Sequence, residues 1–240
     1  MALKAVFFDL DGTLLPMDQN MFIKSYLGNF AQKLVPHGYD PKQFVQAVWM
    51  GVSAMVQNDG KRYNETLFWE QFEKIYGQKA IDDMPLMDEF YQNDFDKSKQ
   101  VCGFDPNAKL VVDEIKKMGL KVVLATNPIF PAIATQKRMS WAGFGPDDFE
   151  LYTTYENSRF CKPNLAYYKD ILNQLDLKAE ECLMVGNDVT EDMVAQKLGF
   201  KVFLLPACII NMDNKDISCY PQGDFNDLLE YVKQLVEKKD

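Results

Sequence analysis

The sequence of 240 residues is poor in the side chains on which many enzymes depend. It has one histidine, His37, and five cysteines, none of them in a Cys-x-x-Cys pair. A single histidine excludes most Ser-His-Asp, Cys-His and histidine–metal sites, unless His37 itself takes part. Because the cysteines are odd in number and lack paired spacing, neither a disulfide framework nor a cysteine zinc site is expected.

Long apolar runs and positive charges are also scarce. No run approaches the roughly 18 apolar residues that a membrane helix needs, and the first apolar stretch meets Asp9 too early for a signal peptide. Lys and Arg number 26 against 35 Asp and Glu, so the net charge is −9, whereas a nucleic-acid binder needs a basic face. We expect a cytoplasmic monomer or homodimer, with reduced thiols, that binds no membrane or nucleic acid. A small anionic ligand stays compatible with this charge.

Short apolar runs alternate with helical patterns along most of the chain. The runs predict strands over residues 4–10, 121–126, 151–155, 182–186 and 201–205. One helix is predicted to begin at Asp105-Pro106 and to end at Gly119. Others are predicted over about 131–141, 164–175, 190–198 and 225–237, and a loop over 206–224. This alternation is typical of a doubly wound, Rossmann-like α/β domain with a parallel sheet.

Residues 17–98 differ, because they show helical spacing and no strand pattern. Four amphipathic helices are predicted there, the third capped by Asn64 and the fourth over about 82–95. They indicate a four-helix bundle inserted after the first strand. Four large side chains are expected to pack this bundle, with one or two of them lining a substrate pocket: Trp49, Met50, Met55 and Trp69.

Polar residues follow the predicted strands, at the sheet edge where such folds carry their chemistry. The first strand is followed by Asp9, Asp11, Gly12 and Thr13, and later strands by Thr126-Asn127, Lys162 and Gly186-Asn187-Asp188 with Asp192. Close carboxylates need a cation, and hard oxygen ligands suit Mg²⁺ with phosphate as a partner. A lysine and a hydroxyl suit a phosphoryl group. One of Asp9 and Asp11 could attack phosphorus while the other moves protons.

This ordered set resembles the four motifs of the haloacid dehalogenase superfamily: Asp9-x-Asp11-Gly12-Thr13-Leu14, Thr126-Asn127, Lys162-Pro163 and Gly186-Asn187-Asp188-x-x-x-Asp192. The resemblance implies an α/β core over residues 1–16 and 99–240. It also implies a helical cap over 17–98. The implied activity is that of a phosphatase, of the phosphoglycolate-phosphatase type, acting on a small phosphorylated metabolite.

The resemblance also implies a role for each motif residue. Asp9 would be the nucleophile and Asp11 the general acid and then base. Thr126, Asn127, Lys162 and the backbone at Gly12 would bind phosphate. Mg²⁺ would be held by the Asp9 side chain, the Asp11 backbone carbonyl and Asp188. Asp192, Thr13 and Asn187 would support these groups, with Asp192 orienting Lys162 or a metal-bound water.

Other readings of the same fold stay open. A dehalogenase fits poorly, because those relatives lack the second aspartate of the first motif. A phosphomutase similar to β-phosphoglucomutase would have a histidine soon after that motif, where this chain has Met21 and Phe22. A phosphonate hydrolase would need a cap lysine, and nothing selects one among Lys24, Lys33, Lys42 and Lys61. A non-catalytic binding protein on this fold is the remaining alternative.

Overall fold

The predicted strands form one parallel sheet in a computed structural model that describes residues 2–237. They are β1 (Ala5–Phe8), β2 (Lys121–Leu124), β3 (Leu151–Tyr152), β4 (Cys182–Gly186) and β5 (Lys201–Leu204). The sheet order is β3-β2-β1-β4-β5, and every pair is parallel. The strand that precedes Asp9 and Asp11 therefore lies at the centre, between the strands that precede Thr126 and Asp188.

The third strand is shorter than the predicted 151–155. Beyond Tyr152 the Asn157 side chain takes over the backbone hydrogen bonds. Its Oδ1 accepts from the Thr154 amide at 2.8 Å, and its Nδ2 donates to the Tyr152 carbonyl at 2.9 Å. The chain turns there instead of extending the sheet.

Both faces of the sheet are covered. Successive residues of β1 point to opposite faces, so Val6 and Phe8 join one buried cluster while Ala5 and Phe7 join another. The first cluster also contains side chains of α6 (Pro106–Lys117) and α9 (Phe225–Glu237), and the second those of α8 (Leu165–Leu175). Burial on both faces confirms the predicted doubly wound α/β core.

Helix starts in the core follow their capping residues. Asp105 accepts a hydrogen bond from the Asn107 amide at 2.9 Å and Pro106 begins α6, as predicted. The remaining core helix is α7 (Ala132–Trp141). The helix predicted over about 190–198 is present but shorter, as a 3₁₀ helix over Met193–Leu198. The Asp188 carboxylate accepts from the Thr190 and Glu191 amides and holds the preceding turn out of the helix.

The segment between β1 and α6 contains helices and no strand. They are α1 (Gln19–Leu34), α2 (Pro41–Val56), α3 (Asn64–Tyr76), α4 (Gln78–Asp82) and α5 (Met84–Glu89), followed by a π-helical turn (Phe90–Asp94) and a 3₁₀ helix (Phe95–Val101). The single fourth helix predicted over 82–95 is divided, because Pro85 can begin α5 but cannot continue α4. This arrangement is consistent with the predicted cap, whose limits at 17 and 98 stay a prediction.

No helix among residues 2–237 combines the length and the apolar character needed to cross a bilayer.

Candidate active site

A buried lysine joins two carboxylates at the centre of the sheet edge. The Lys162 Nζ lies 2.8 Å from Asp9 Oδ1 and 2.6 Å from Asp192 Oδ1. Burial alone would lower the pKa of Lys162, but the charges of Asp192 and Asp9 raise it well above its ordinary value. Lys162 therefore stays a cation, and three motifs that are far apart in the chain meet at one charge.

A second network lies beneath Asp9. The Thr13 hydroxyl donates to Asn187 Oδ1 at 2.9 Å and lies 3.4 Å from Asp9 Oδ2. The Asn187 Nδ2 donates to the Cys208 carbonyl at 2.7 Å. Both polar atoms of the Asn187 amide are thus used inside the protein, so this side chain holds the first-motif turn against the loop that follows β5.

Gly12 makes that turn possible. Its φ is +83°, in the left-handed region, and a Cβ at this position would overlap the Asn187 side chain. The Gly12 amide donates to the Leu15 carbonyl at 2.8 Å, which closes the turn directly after Asp11.

Asp188 is held by backbone donors on one side only. Its Oδ1 accepts from the Thr190 amide at 2.7 Å and from the Glu191 amide at 2.8 Å. The Asp188 amide in turn donates to Asp192 Oδ2 at 3.0 Å. Asp192 therefore binds Lys162 with one oxygen and the Asp188 backbone with the other, and so couples the lysine to the fourth motif.

Asp11 pairs with an arginine from α7. The Arg138 side chain is fully buried, and its Nη1 donates to Asp11 Oδ2. It also donates to the Ala134 carbonyl and to Thr135 Oγ1, both at 3.3 Å, and stacks on the Phe130 ring at 4.2 Å. Burial raises the pKa of Asp11, and the Arg138 guanidinium opposes that rise. Asp11 Oδ1 is buried and has no hydrogen-bond partner among the described residues.

Asn127 faces a further carboxylate. Its Nδ2 donates to both oxygens of Glu191 at 3.1 Å, while its buried Oδ1 lacks a partner within the described part of the chain. Burial raises the pKa of Glu191 to about 8, with the Lys162 charge opposing the shift. Thr126 is buried beside Asn127, and its backbone carbonyl accepts from Thr153 and Tyr167.

A cavity of about 180 Å³ lies between these residues and the helices of 17–98. Its core side contains Asp11, Asn127, Asp188 and Glu191, and its opposite side is built from α1, α2, α3 and α5. Trp69 lines it, as does Trp49, which is 47% exposed. The expectation that Met50 packs the bundle is wrong, since it is 52% exposed, while Met55 is buried.

Asn64 does not cap α3 but fixes it to the core. The N-cap position is Tyr63, and Asn64 is fully buried as the first helical residue. Its Nδ2 donates to the Pro128 carbonyl at 3.1 Å, one residue beyond Asn127. The start of α3 is therefore tied directly to the second motif.

Comparison with known proteins identifies the family. Residues 3–199 match the haloacid dehalogenase-like hydrolases. The chain is a member of the haloacid dehalogenase-like hydrolase family. The match covers both the motif residues and the helical segment between the first and second motifs, and confirms the predicted family.

Relatives of this haloacid dehalogenase-like hydrolase are phosphatases. It is 31% identical to the glyceraldehyde 3-phosphate phosphatase of Methanocaldococcus jannaschii over 137 residues, 56% of this chain and 58% of that protein, so the match spans less than two thirds of that relative. It is 25% identical to pyrophosphatase PpaX of Bacillus anthracis over 201 residues, 84% of this chain and 82% of that protein. These relatives confirm the predicted phosphatase branch of the family.

A solved structure shows the same fold. The 2-haloacid dehalogenase from Pseudomonas syringae superposes with a TM-score of 0.64 at 18% identity, covering 97% of this chain and 99% of that one. At this identity the likeness concerns the architecture alone.

The donor set of this hydrolase fits Mg²⁺. Five carboxyl groups lie at this end of the sheet, those of Asp9, Asp11, Asp188, Glu191 and Asp192. Three of them pair with the two cations there: Asp9 and Asp192 with Lys162, and Asp11 with Arg138. The excess negative charge and the oxygen donors suit a hard divalent cation. Within residues 2–237 no three His, Cys, Asp or Glu side chains form a metal-binding group. The predicted Mg²⁺ ligands include only two such side chains, Asp9 and Asp188, because the third ligand is the backbone carbonyl of Asp11.

Two residues of this site, Arg138 and Glu191, are not predicted by the sequence patterns. Arg138 lies on α7 with its side chain fully buried, and nothing in the helical spacing of this segment indicates that a cation would be buried there. Glu191 lies inside the fourth motif, between Asp188 and Asp192. Its contact with Asn127 joins the loop after β4 to the loop after β2, and these loops are far apart in the sequence.

The structure joins Asp9, Lys162 and Asp192, and it joins Thr13 to Asn187. Thr126 lies beside Asn127, but no side-chain hydrogen bond connects it to the other predicted residues within residues 2–237. The roles of all these residues are part of the proposal that follows.

Proposed function

We propose that this protein is a Mg²⁺-dependent phosphatase that hydrolyses a small phosphorylated metabolite through an aspartyl-phosphate on Asp9. One observation carries the proposal. Asp9 is bound to Lys162 at the end of the central strand, and Asp11, two residues later, faces the cavity under the helices. A nucleophile beside a phosphate-binding cation, and a proton donor on the leaving-group side, are what the reaction needs.

In the first half-reaction a carboxylate oxygen of Asp9 attacks phosphorus. The bond from phosphorus to the ester oxygen breaks, and Asp11 gives its proton to that oxygen, so that a neutral alcohol leaves. In the second half-reaction Asp11 takes a proton from water, which attacks phosphorus and releases inorganic phosphate from Asp9. The raised pKa of Asp11 suits both tasks.

The phosphoryl oxygens would be bound by Lys162, the Thr126 hydroxyl and the Asn127 amide. The predicted phosphate contact of the Gly12 backbone is not retained, because the Gly12 amide already donates to the Leu15 carbonyl. Asp192 keeps Lys162 in place, while Thr13 and Asn187 hold the turn that carries Asp9 and Asp11. Mg²⁺, held by Asp9, the Asp11 carbonyl and Asp188, would offset the charge between carboxylate and phosphate. The helices over the cavity would exclude water during transfer.

The proposal names a class of substrate and not a single compound. The relatives are named for glyceraldehyde 3-phosphate and for pyrophosphate, so they do not agree on a substrate. The phosphoglycolate type, a cytoplasmic location and a monomer or homodimer stay predictions. Five free cysteines are consistent with a reducing compartment.

No observation favours the alternative readings. His37 is exposed in the 3₁₀ turn Val35–His37 and does not line the cavity, as a mutase histidine would. No lysine is found among the described residues that line the cavity, where a phosphonate hydrolase would need one.

The test is phosphate release from a panel of phosphorylated metabolites. We expect turnover with Mg²⁺ that is lost with chelator, in Asp9→Asn and in Asp11→Asn. Activity that survives Asp9→Asn would contradict the aspartyl-phosphate. If the wild type released phosphate from none of the metabolites, the proposed phosphatase activity would be contradicted.

A further inference from the structure

The cavity under the helices has a lining that is mostly aromatic and aliphatic. Ten of its 23 lining residues are aromatic, and most of the others are aliphatic. The aromatic residues come from α1, α2, α3 and the π-helical turn (Tyr91) on one side, and from Phe130 and Tyr155 on the other. An apolar group transferred from water into such a site is stabilised in proportion to the area it buries.

The ionisable groups that line this cavity are all acidic. Asp11, Asp88, Asp188 and Glu191 line it, and no Lys, Arg or His is found among its described lining residues. Arg138 lies behind the Phe130 ring and is already paired with Asp11. A carboxylate or second phosphate placed here would lose its water and gain no counter-charge, which is costly.

The volume of the cavity and the indole N–H of Trp69 further restrict the class of ligand that the cavity can bind. A volume of about 180 Å³ suits one ring, since an apolar protein cavity of about 150 Å³ accommodates benzene. The Trp69 Nε1 is buried, lines this space beside Tyr155, and has no acceptor at full hydrogen-bonding geometry within residues 2–237. It can donate to a neutral oxygen on the ligand.

We infer that the substrate is a phosphomonoester whose alcohol part is aromatic or apolar, about the size of one ring, and carries no second anionic group. This inference rests on the proposed phosphatase, because Asp11 connects the cavity to the leaving oxygen. It leads away from the phosphoglycolate type, whose substrate carries a carboxylate next to the phosphate ester.

Matched substrates test the inference. Benzyl phosphate, 4-(hydroxymethyl)benzyl phosphate and 4-carboxybenzyl phosphate share the same leaving oxygen and differ only at the far end. With Mg²⁺ we expect the first two to have similar kcat/KM and the carboxylate to fall by about a hundredfold. Equal kcat/KM for all three, or efficient turnover of phosphoglycolate, would leave the phosphatase intact and overturn the inference.

A variant can reverse the preference. Gln19 lines the cavity from the exposed start of α1. Gln19→Arg should reduce the penalty on the carboxylated substrate about tenfold, whereas the matched Gln19→Met should not. An unchanged ratio in Gln19→Arg would count against an electrostatic cause.

Binding separates the two proposals if turnover is absent. Benzylphosphonate and 4-carboxybenzylphosphonate have a carbon–phosphorus bond in place of the phosphate ester, so a phosphatase cannot hydrolyse them. Their affinities are measured by calorimetry with Mg²⁺ present. Tight binding of the first alone, without turnover of any ester, would support the ligand class and contradict the phosphatase. Equal affinities would contradict the ligand class whatever the activity.

Discussion

Arg138 and Asp11 form an ion pair across 127 residues of sequence, and the arginine is completely buried. The pair holds one oxygen of Asp11 and leaves the other, Oδ1, free at the cavity. An aspartate that must reach both a leaving oxygen and a water needs a fixed orientation, and the guanidinium supplies it. Arg138 is thus a positioning residue for the proposed acid and base.

Removing Arg138 should therefore affect stability in a way that depends on Asp11. Arg138→Met leaves a buried carboxylate unpaired, and breaking a buried pair from one side costs about 3–5 kcal/mol. The double variant Arg138→Met/Asp11→Asn removes both charges and should lose less than Arg138→Met alone. Urea unfolding of the wild type, both single variants and the double variant measures this coupling. Additive losses would show that the pair does not act as a unit.

Lys162 gives a prediction about pH. In Lys162→Met the Asp9 and Asp192 carboxylates face each other without a cation, and burial already raises the pKa of Asp192 to about 7 with Lys162 present. A folded-state pKa raised above the unfolded value makes stability fall as pH rises. The pKa of Asp192 is about 7 in the wild type and should rise further without Lys162. The deficit in the free energy of unfolding, relative to wild type in chelator, should therefore grow as pH rises from about 7 to about 9.

The control for this variant is Lys169→Met, which removes an exposed lysine of α8. Its effect should be small at both pH values, as is usual for exposed lysines. If the deficit of Lys162→Met were independent of pH, the two carboxylates would not be the groups that Lys162 compensates.

Much of the site follows from the sequence because the motif residues come directly after strands. A parallel sheet brings the carboxyl ends of its strands to one edge, so Asp9, Thr126 and Asp188 meet whatever the loops do. Burial of Arg138 could not be derived in that way. It depends on a partner carboxylate from a different motif, and the helical spacing of α7 alone would place a cation outside.

The position and lining of the cavity likewise could not be predicted from the sequence. The helical spacing of α1 and α3 predicts which side chains are apolar, but not which of them face the core domain. The contact of Asn64 with the Pro128 carbonyl decides how α3 meets the sheet edge, and an asparagine before a helix is more often its cap. The loop after β5 presents the same difficulty, because its Cys208 carbonyl binds Asn187 through an unpatterned stretch.

Gly12 is predicted to be intolerant of a side chain. Gly12→Ala must adopt a positive φ and also displace Asn187 from its bonds to Thr13 and Cys208. We expect a loss of stability of about 1–3 kcal/mol together with at least a tenfold loss in kcat. Gly28→Ala is the matched control, since it lies in α1 with open space around its Cβ. That change should be neutral or stabilising.

Glu191 should weaken phosphate binding at Asn127. Its carboxylate occupies the Asn127 Nδ2, the donor that the phosphoryl group would use, and adds negative charge beside it. Glu191→Gln keeps the size and removes the charge, so inorganic phosphate should inhibit about threefold to tenfold more strongly. Inhibition constants for phosphate in the two proteins at pH 8.5 measure this. Weaker inhibition in the variant would mean that Glu191 helps to bind phosphate instead.

Cys161, the residue before Lys162, is predicted to be chemically inert in the folded protein. Its side chain is 1% exposed, burial raises its pKa to about 12, and its sulfur accepts a hydrogen bond from Asn64 Nδ2 at 3.4 Å. The thiolate is the reactive form, so alkylation at pH 8 should be slow at Cys161 and fast at the exposed Cys219. Iodoacetamide treatment of the native protein followed by peptide mass spectrometry compares the two sites, with urea-unfolded protein as the reference in which both react. Rapid native labelling of Cys161 would show that the junction between α3 and the second and third motifs opens readily, and would contradict the burial of its thiol.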